Sequence, residues 1–409
     1  MGSTKNRVVK NTMKCLEKMK VLVLSGFGIE STYPNPICMR KIIEKLSEYP
    51  EIQIDVACNA VVENTPVLNW KRNPSYMLRR IKCWPSYNPD VEQACRRELF
   101  SILSEKTYDC IFVPHKPFET VYAACKAKEK YPDIKLCIYA LDPIANEIDA
   151  NNGIGKYLFF LTKKAEEKVF MTADHIFHME CNRKKYASEK YKKYADKFSY
   201  LDFPLIEEQH MNKNQNYSPT SNDEVVMLYS GALDDTYRPS KYLLDLFDAA
   251  SEKLENVSLH FYAKGNSVAE IERRCEHNKA IESFGYIPKR ELEKRVEEAQ
   301  FLINIGNKFS DMLPSKLLTY FMGGRPIIHV KNQENDSCIS YLERYGLFLI
   351  IDEKDSLEKS VEKFVSFVKS NQNKKVPSEH IIKVFRKNTP EWNAEQIKKV
   401  LMGEIKNVN

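Results

Sequence analysis

The sequence predicts an α/β protein built as two parallel, doubly wound sheets with a ligand cleft between their carboxyl ends. Three observations carry this. Short apolar, β-rich runs alternate with helical patterns from Val21 to Met179. The same alternation starts afresh at Val225. Between the two series, Glu207 to Glu224 (EEQHMNKNQNYSPTSNDE) is polar and nearly free of core-forming residues, as a linker would be.

Taken in order, the first series reads as strands over Val21–Ser25, Ile52–Cys58, Asp109–Val113, Lys135–Ala140 and His175–Met179. Helices are expected from about Ile37 to Ser47 and over Val91–Glu105, Phe118–Lys130 and Lys156–Thr172. The second series gives strands over Val225–Tyr229, Val257–Tyr262, Phe301–Ile305, Ile327–Val330 and Leu347–Ile351. Its clearest helices are Ser240–Ala250 and Lys289–Ala299, and a last one spans roughly Ala394 to Ile405. Strands separated by helices require right-handed crossovers, hence parallel sheets. The expected organisation is a tail (1–19), a first domain (20–206), a linker (207–224), a second domain (225–389) and a C-terminal segment (390–409).

Composition narrows the class. The chain has 409 residues, 43% of them hydrophobic and 29% charged, which suits a soluble protein of two domains. Its net charge of +6 is small and dispersed, and no nucleic-acid-binding pattern occurs, so nucleic acid is excluded as a partner. Eleven cysteines without C-x-x-C spacing read as small buried hydrophobes of a reducing cytosol, with neither a disulfide framework nor a zinc site. No apolar run reaches the about 18 residues that span a bilayer. The lysine-dotted N-terminus lacks the apolar stretch of a secretory signal, so a cytoplasmic protein is expected.

The most informative stretch is Asn304–Val330 (NIGNKFSDMLPSKLLTYFMGGRPIIHV), which reads as strand, loop, helix, strand. Pro314 suits a first helical position, Leu317, Leu318, Phe321 and Met322 follow at helical spacing, and Gly323–Gly324 end the helix. A helix N-terminus offers free N–H groups and a positive dipole end, to which Ser315 adds a hydroxyl and Lys316 a charge. That predicts an anion site; the plain alternative is a crossover helix punctuated by Pro and Gly.

The run M-L-P-S-K-L-L-x-Y-x-x-G-G-R-P-I-I resembles the donor-binding signature of GT-B glycosyltransferases, in the branch close to family 4. The resemblance is specific over about Val225–Val330 and looser over Val21–Glu180. It implies two Rossmann-like domains, a C-terminal helix crossing back onto the first domain, and a helix N-terminus that holds the diphosphate of a sugar nucleotide. It implies transfer from a UDP- or GDP-linked sugar to a saccharide or lipid-linked acceptor, without metal or other cofactor and with retention of configuration. The chain departs from the family where two glutamates eight apart are usual: Asp311 and Thr319 stand there, so the ribose contact of the second glutamate is weaker or assigned elsewhere.

Other strand ends supply further candidates. Arg238 and Lys264 resemble the family's phosphate-gripping Arg and Lys pair, with Lys264 also a candidate for the catalytic charge. Phe284-Gly285-Tyr286-Ile287-Pro288 resembles the turn that meets the base, through Tyr286 and Ile287. Gly26 and Gly28, after the first strand, form a tight turn that in such proteins faces the donor. Asp142, directly after a buried strand, is either a turn former or a base for the acceptor. His115 and Glu180 sit at similar ends, on the acceptor side. Basic runs at Trp70–Trp84 and at Asn182–Lys197, which includes Lys184 and Lys185, together with Tyr157–Leu161 beside Lys163 and Lys164, read as solvated faces or as contacts with an anionic membrane surface. Two other functions suit the same pattern: a nucleotide-sugar epimerase, and a non-catalytic partner of another transferase.

Overall fold

Each apolar series folds into a six-stranded sheet in which every recorded pairing is parallel. The computed structural model describes residues 18–31, 34–59, 61–64, 87–145, 153–208, 224–308 and 313–408. The first sheet comprises β1 (Met19–Leu24), β2 (Ile52–Ala57), β3 (Cys110–Pro114), β4 (Lys135–Ala140), β5 (His175–Met179) and β6 (Phe198–Leu201), in the order β2-β1-β3-β4-β5-β6. The second comprises β7 (Val225–Ala232), β8 (Val257–Lys264), β9 (Ile281–Ser283), β10 (Phe301–Ile305), β11 (Ile327–Lys331) and β12 (Phe348–Asp352), in the order β12-β11-β10-β7-β8-β9. The architecture is α/β, with two Rossmann-like domains.

Both orders reverse direction once, between β1 and β3 in the first sheet and between β7 and β10 in the second. At such a switch point adjacent crossovers leave to opposite faces and open a crevice at the strands' carboxyl ends. Two edge strands go unread in the sequence: β6 (FSYL) has four residues and follows a lysine-rich run, and β9 (IES) has one apolar residue.

The helices that matter for the site are α1 (Pro34–Ser47), α2 (Pro89–Glu105), α3 (Phe118–Lys130), α4 (Gly153–Thr172), α5 (Lys241–Ser251), α6 (Val268–His277), α7 (Lys289–Glu298), α8 (Lys316–Met322), α9 (Cys338–Tyr345), α10 (Leu357–Asn371), α11 (Ser378–Val384) and α12 (Pro390–Leu401). α8 begins two residues later than Pro314; Pro314 instead accepts the Leu317 N–H in a preceding turn. α12 begins four residues earlier than its pattern suggests. Thr389 caps it by accepting the Trp392 N–H, and Pro390 occupies the first turn, where its missing N–H costs nothing.

α12 packs on α1, where Ile42 and Leu46 share a core with Ile397, Val400 and Leu401. Ion pairs Lys398–Glu51 and Lys45–Glu391 rim that contact, and Lys135 Nζ donates to the Leu401 carbonyl at 3.1 Å. The same apolar cluster runs on into the second domain through Leu302, Leu317, Phe321 and Tyr345, while each domain keeps a separate core on its sheet's other face.

Buried polar contacts also join the domains, among them that of Asp202 with α9. Asp202, just past β6, accepts the Tyr341 hydroxyl of α9 at 2.9 and 3.0 Å and the Phe203 N–H at 2.9 Å. Burial pushes its carboxyl from 3.8 up to about 6, against the opposing pull of those hydrogen bonds and of Arg344. Because the folded value lies above the unfolded one, stability from this group is fully present below about pH 4 and is lost as pH rises through about 6, a span worth on the order of 3 kcal/mol. Asp202→Asn keeps an acceptor for Tyr341 without a charge. In denaturant melts its stability relative to the parent should be higher at pH 7 than at pH 4.5, and a difference independent of pH would contradict the assignment.

Candidate functional site

At the switch point of the second sheet, the loop after β7 turns on Asp234. Its carboxylate accepts the Thr236 and Tyr237 N–H groups at 2.8 and 3.2 Å, and its carbonyl accepts the Arg238 N–H. This fold-back delivers Arg238 to the β10 side of the crevice. There Asn307 Oδ1 accepts Arg238 Nε at 3.0 Å and Nη2 at 2.7 Å, and Nη1 donates to the Ala232 carbonyl at 3.3 Å. Tyr320 of α8 closes the crevice floor: its hydroxyl accepts the Ser230 N–H at 2.8 Å and lies 3.0 Å from Ser230 Oγ.

Lys316 opens α8. Burial and nearby Lys289 pull its ammonium below the usual lysine range, partly opposed by Glu293. Lys264, at the exposed end of β8, lies 5.3 Å over the Tyr286 ring, which is 70% exposed. Phe284 stacks on Tyr262 at 4.9 Å, while Ile287 packs into the core. Among the described residues, Arg238, Lys264 and Lys316 have no carboxylate at ion-pair distance. Some other cations do: Arg183 is paired with Glu180, and Arg274 with Asp245 and Asp248. Ser315 and Thr319 are half-buried on the same short helix, and Asp311 lies outside the described residues.

The first sheet's edge differs from expectation at Gly26. Its N–H donates to the Cys58 carbonyl, so it is not open to a phosphate, and its carbonyl accepts the Val62 N–H. A Cβ there would come within 2.4 Å of Pro117 Cδ, at a φ of +75°. Gly26 is a packing position, where the β1 loop meets the β3 loop across the switch point. Gly28 forms the next turn, accepting the Ser31 N–H.

His115 is 1% exposed, which removes it from any membrane face. Its Nδ1 accepts the Leu141 N–H at 3.2 Å, so the neutral ring carries its proton on Nε2. Nε2 lies 3.8 Å from Asp142 Oδ2 and finds no hydrogen-bond partner among the described residues. Burial, with Lys116 and His178 nearby, holds His115 well below the ordinary histidine value. Lys116 Nζ lies 3.6 Å from the same Asp142 oxygen, so that carboxylate answers to a lysine and a neutral imidazole N–H.

Glu180 is taken by Arg183, at 2.6 and 2.8 Å, and Lys185 donates to the Ala145 carbonyl at 2.9 Å. Lys184 is exposed. Within Asn182–Lys197 the tyrosines point inward: Tyr186, Tyr191 and Tyr194 ring Phe170, and Tyr186 and Tyr191 donate to the buried Glu166 at 2.8 and 3.0 Å. Lys184, Lys190, Lys192 and Lys193 of that run face outward, together with the acidic Glu189 and Asp196. Trp70–Trp84 lies outside the described residues, as do the side chains of Tyr157 and Leu158; Phe159 and Phe160 carry Lys163 and Lys164 over their rings at 4.2 and 4.5 Å. No helix among the described residues is long and apolar enough to cross a membrane.

The fold also gathers His329, Asp336 and Cys338, whose ligand-type atoms lie within 4.8 Å of one another. They fall within one short stretch but match no familiar ligand spacing, which hides them from sequence reading. Both ring nitrogens of His329 are engaged, by Asn304 Nδ2 at 2.8 Å and Asp336 Oδ2 at 2.9 Å. Asn307 and this buried group are the residues that sequence reasoning missed.

No family model matches the sequence, and no curated protein matches it. Solved structures do. Sucrose-phosphate synthase from Thermosynechococcus elongatus aligns over 95% of this chain and 99% of its own, with a TM-score of 0.62 and 9% identity. A lipopolysaccharide outer core galactosyltransferase in its apo form aligns over 95% and 100%, with a TM-score of 0.57 and 11% identity. A UDP-N-acetylglucosamine 2-epimerase aligns over 96% and 98%, with a TM-score of 0.54 and 14% identity. At such identities the likeness concerns the fold, and it is the GT-B architecture.

The His115 geometry makes a direct prediction. Nitrogen-detected NMR of the imidazoles should find one ring in the Nε2–H tautomer that stays neutral from pH 8 down to pH 5.5. Assignment by His115→Gln should remove that signal; a His115 ring that titrates near pH 6.5 would contradict its buried, desolvated placement.

Proposed function

We propose that the protein is a GT-B glycosyltransferase, moving a sugar from a UDP- or GDP-linked donor to a saccharide or lipid-linked acceptor. The observation that carries this is the set of cations at the second sheet's carboxyl edge, Arg238, Lys264 and Lys316, with no carboxylate partners among the described residues. A desolvated ammonium without a counter-ion is unfavourable until an anion arrives. A leaving nucleoside diphosphate brings that anion, and its charge grows as the glycosidic bond breaks, so fixed cations stabilise the transition state more than the ground state.

In this reading Arg238 and Lys264 grip the phosphates, Lys316 and Ser315 meet them at the start of α8, and Tyr286 with Ile287 faces the base. Thr319 stands near the ribose, with Asp311 in the family's other acidic position. Asp142 and the Nε2–H of His115 serve the sugar and acceptor side. Protein cations take the place of a metal, and the family resemblance supports retention of configuration. Names among the structural neighbours suit a nucleotide-sugar enzyme of either kind: a galactosyltransferase is among them, and so is a UDP-N-acetylglucosamine 2-epimerase. The exposed lysines of 182–197 and a lipid-linked acceptor suit a cytoplasmic enzyme working at an anionic membrane face, as part of surface polysaccharide or glycolipid synthesis.

Lys316→Ala should cost about ten-fold or more in affinity for UDP or GDP by calorimetry, the worth of a charge-assisted phosphate contact. Equal affinity for parent and variant would remove α8 from the site. Transfer to an added acceptor should persist in excess EDTA; full loss restored by Mg²⁺ would contradict the reliance on protein cations. Turnover of the nucleotide sugar without any acceptor would identify an epimerase instead.

A further inference from the structure

Arg238 owes its place to a neutral residue. Asn307 is 5% exposed, and its Oδ1 receives two guanidinium N–H groups from across the switch point. A second tie runs alongside, from the Lys308 N–H to the Tyr237 carbonyl at 2.9 Å. Asn307 is itself fixed. Gln333 Nε2 donates to its carbonyl at 3.0 Å, and Asn332 Nδ2 donates to the carbonyl of Gly306 at 2.7 Å.

Beneath Gly306 lies the buried pair His329–Asp336. A Cβ on Gly306 would meet Asp336 Oδ2 at 2.3 Å and His329 Cε1 at 3.3 Å, so the β10 loop rests directly on that pair. Burial pushes the Asp336 carboxyl up, but hydrogen bonds from His329 and the Cys338 N–H more than offset this and keep it below the usual range. The ionised carboxylate stays one layer down, locked to His329, while the residue that touches Arg238 carries no charge.

From this layering we propose that Asn307 is a positioning residue that orients the Arg238 guanidinium for a nucleoside diphosphate while leaving its charge uncompensated. The His329–Asp336 pair and Gly306 set the height of Asn307. The inference rests on the reading of Arg238 as a phosphate ligand. A carboxylate at position 307 would hold the same two N–H groups more strongly and neutralise the cation that the ligand needs. The amide holds the geometry alone.

The test titrates UDP, GDP, uridine and guanosine into the parent, Arg238→Ala, Asn307→Ala and Asn307→Asp. Arg238→Ala and Asn307→Ala should each lose about ten-fold in diphosphate affinity, with nucleoside affinity unchanged. Asn307→Asp should lose at least as much, although it preserves both hydrogen bonds and so keeps the loop folded. Tight diphosphate binding by both Asn307 variants, with weak binding by Arg238→Ala, would overturn the positioning role and leave the phosphate reading intact. Parent-like binding by Arg238→Ala would overturn both. Asn307→Asp binding better than Asn307→Ala would show that geometry alone matters, against the charge argument. If Asn307→Ala does not fold, the comparison of parent with Asn307→Asp decides.

Discussion

The hydrogen bonds between Arg238 and Asn307 are the contact on which the candidate site depends. They join the loops after β7 and β10, the two strands whose crossovers part in opposite directions, and so span the one place where a parallel sheet of this order leaves its carboxyl ends uncovered. Some other arginines of the chain sit against carboxylates, as at Arg183 and Arg274, while Arg344 donates to the Ser340 carbonyl. At the crevice the chain uses an amide. A cation held by a neutral acceptor keeps its charge available to something else.

The supporting layers follow from that constraint. Gly306 lacks a side chain because His329 and Asp336 occupy its space, and those two stay buried because each satisfies the other. Tyr320 ties the start of the crevice to α8, and α8 in turn is packed into the core that both domains share. The domains meet through that core, through α12 on α1, and through the Asp202–Tyr341 contact. The helix that carries Lys316 and the domain interface are therefore parts of one packed unit.

Much of the fold was legible because long buried strands have an unmistakable composition. β4, β5, β10 and α3 match their expected spans, and most other strands and helices fall within a few residues of theirs. β6 and β9 were not legible: an edge strand of three or four residues buries little, so it needs little apolar sequence. The cations at the strand ends could be read, since a lysine after a buried run and before a glycine is conspicuous. Their partners could not. Asn307 is a polar residue in a polar loop, and only the fold brings it to Arg238. At Gly26 the turn has a packing reason that the sequence does not show: its N–H is spent on Cys58 and its missing side chain makes room for Pro117. The run 182–197 read as a basic face, and its tyrosines prove to be core, because such a run can be wrapped on an aromatic cluster with most of its lysines outward.

The central claim is that the crevice edge is an anion site awaiting a nucleoside diphosphate. The most direct measurement is the thermal melt of the unmodified protein with UDP, GDP, uridine, guanosine and inorganic sulfate at matched ionic strength. Ligands that bind only the folded state raise its melting temperature with concentration. The account predicts a rise with one or both diphosphates that exceeds the effect of the nucleosides and of sulfate. No rise with either diphosphate, or an equal rise with sulfate, would contradict it.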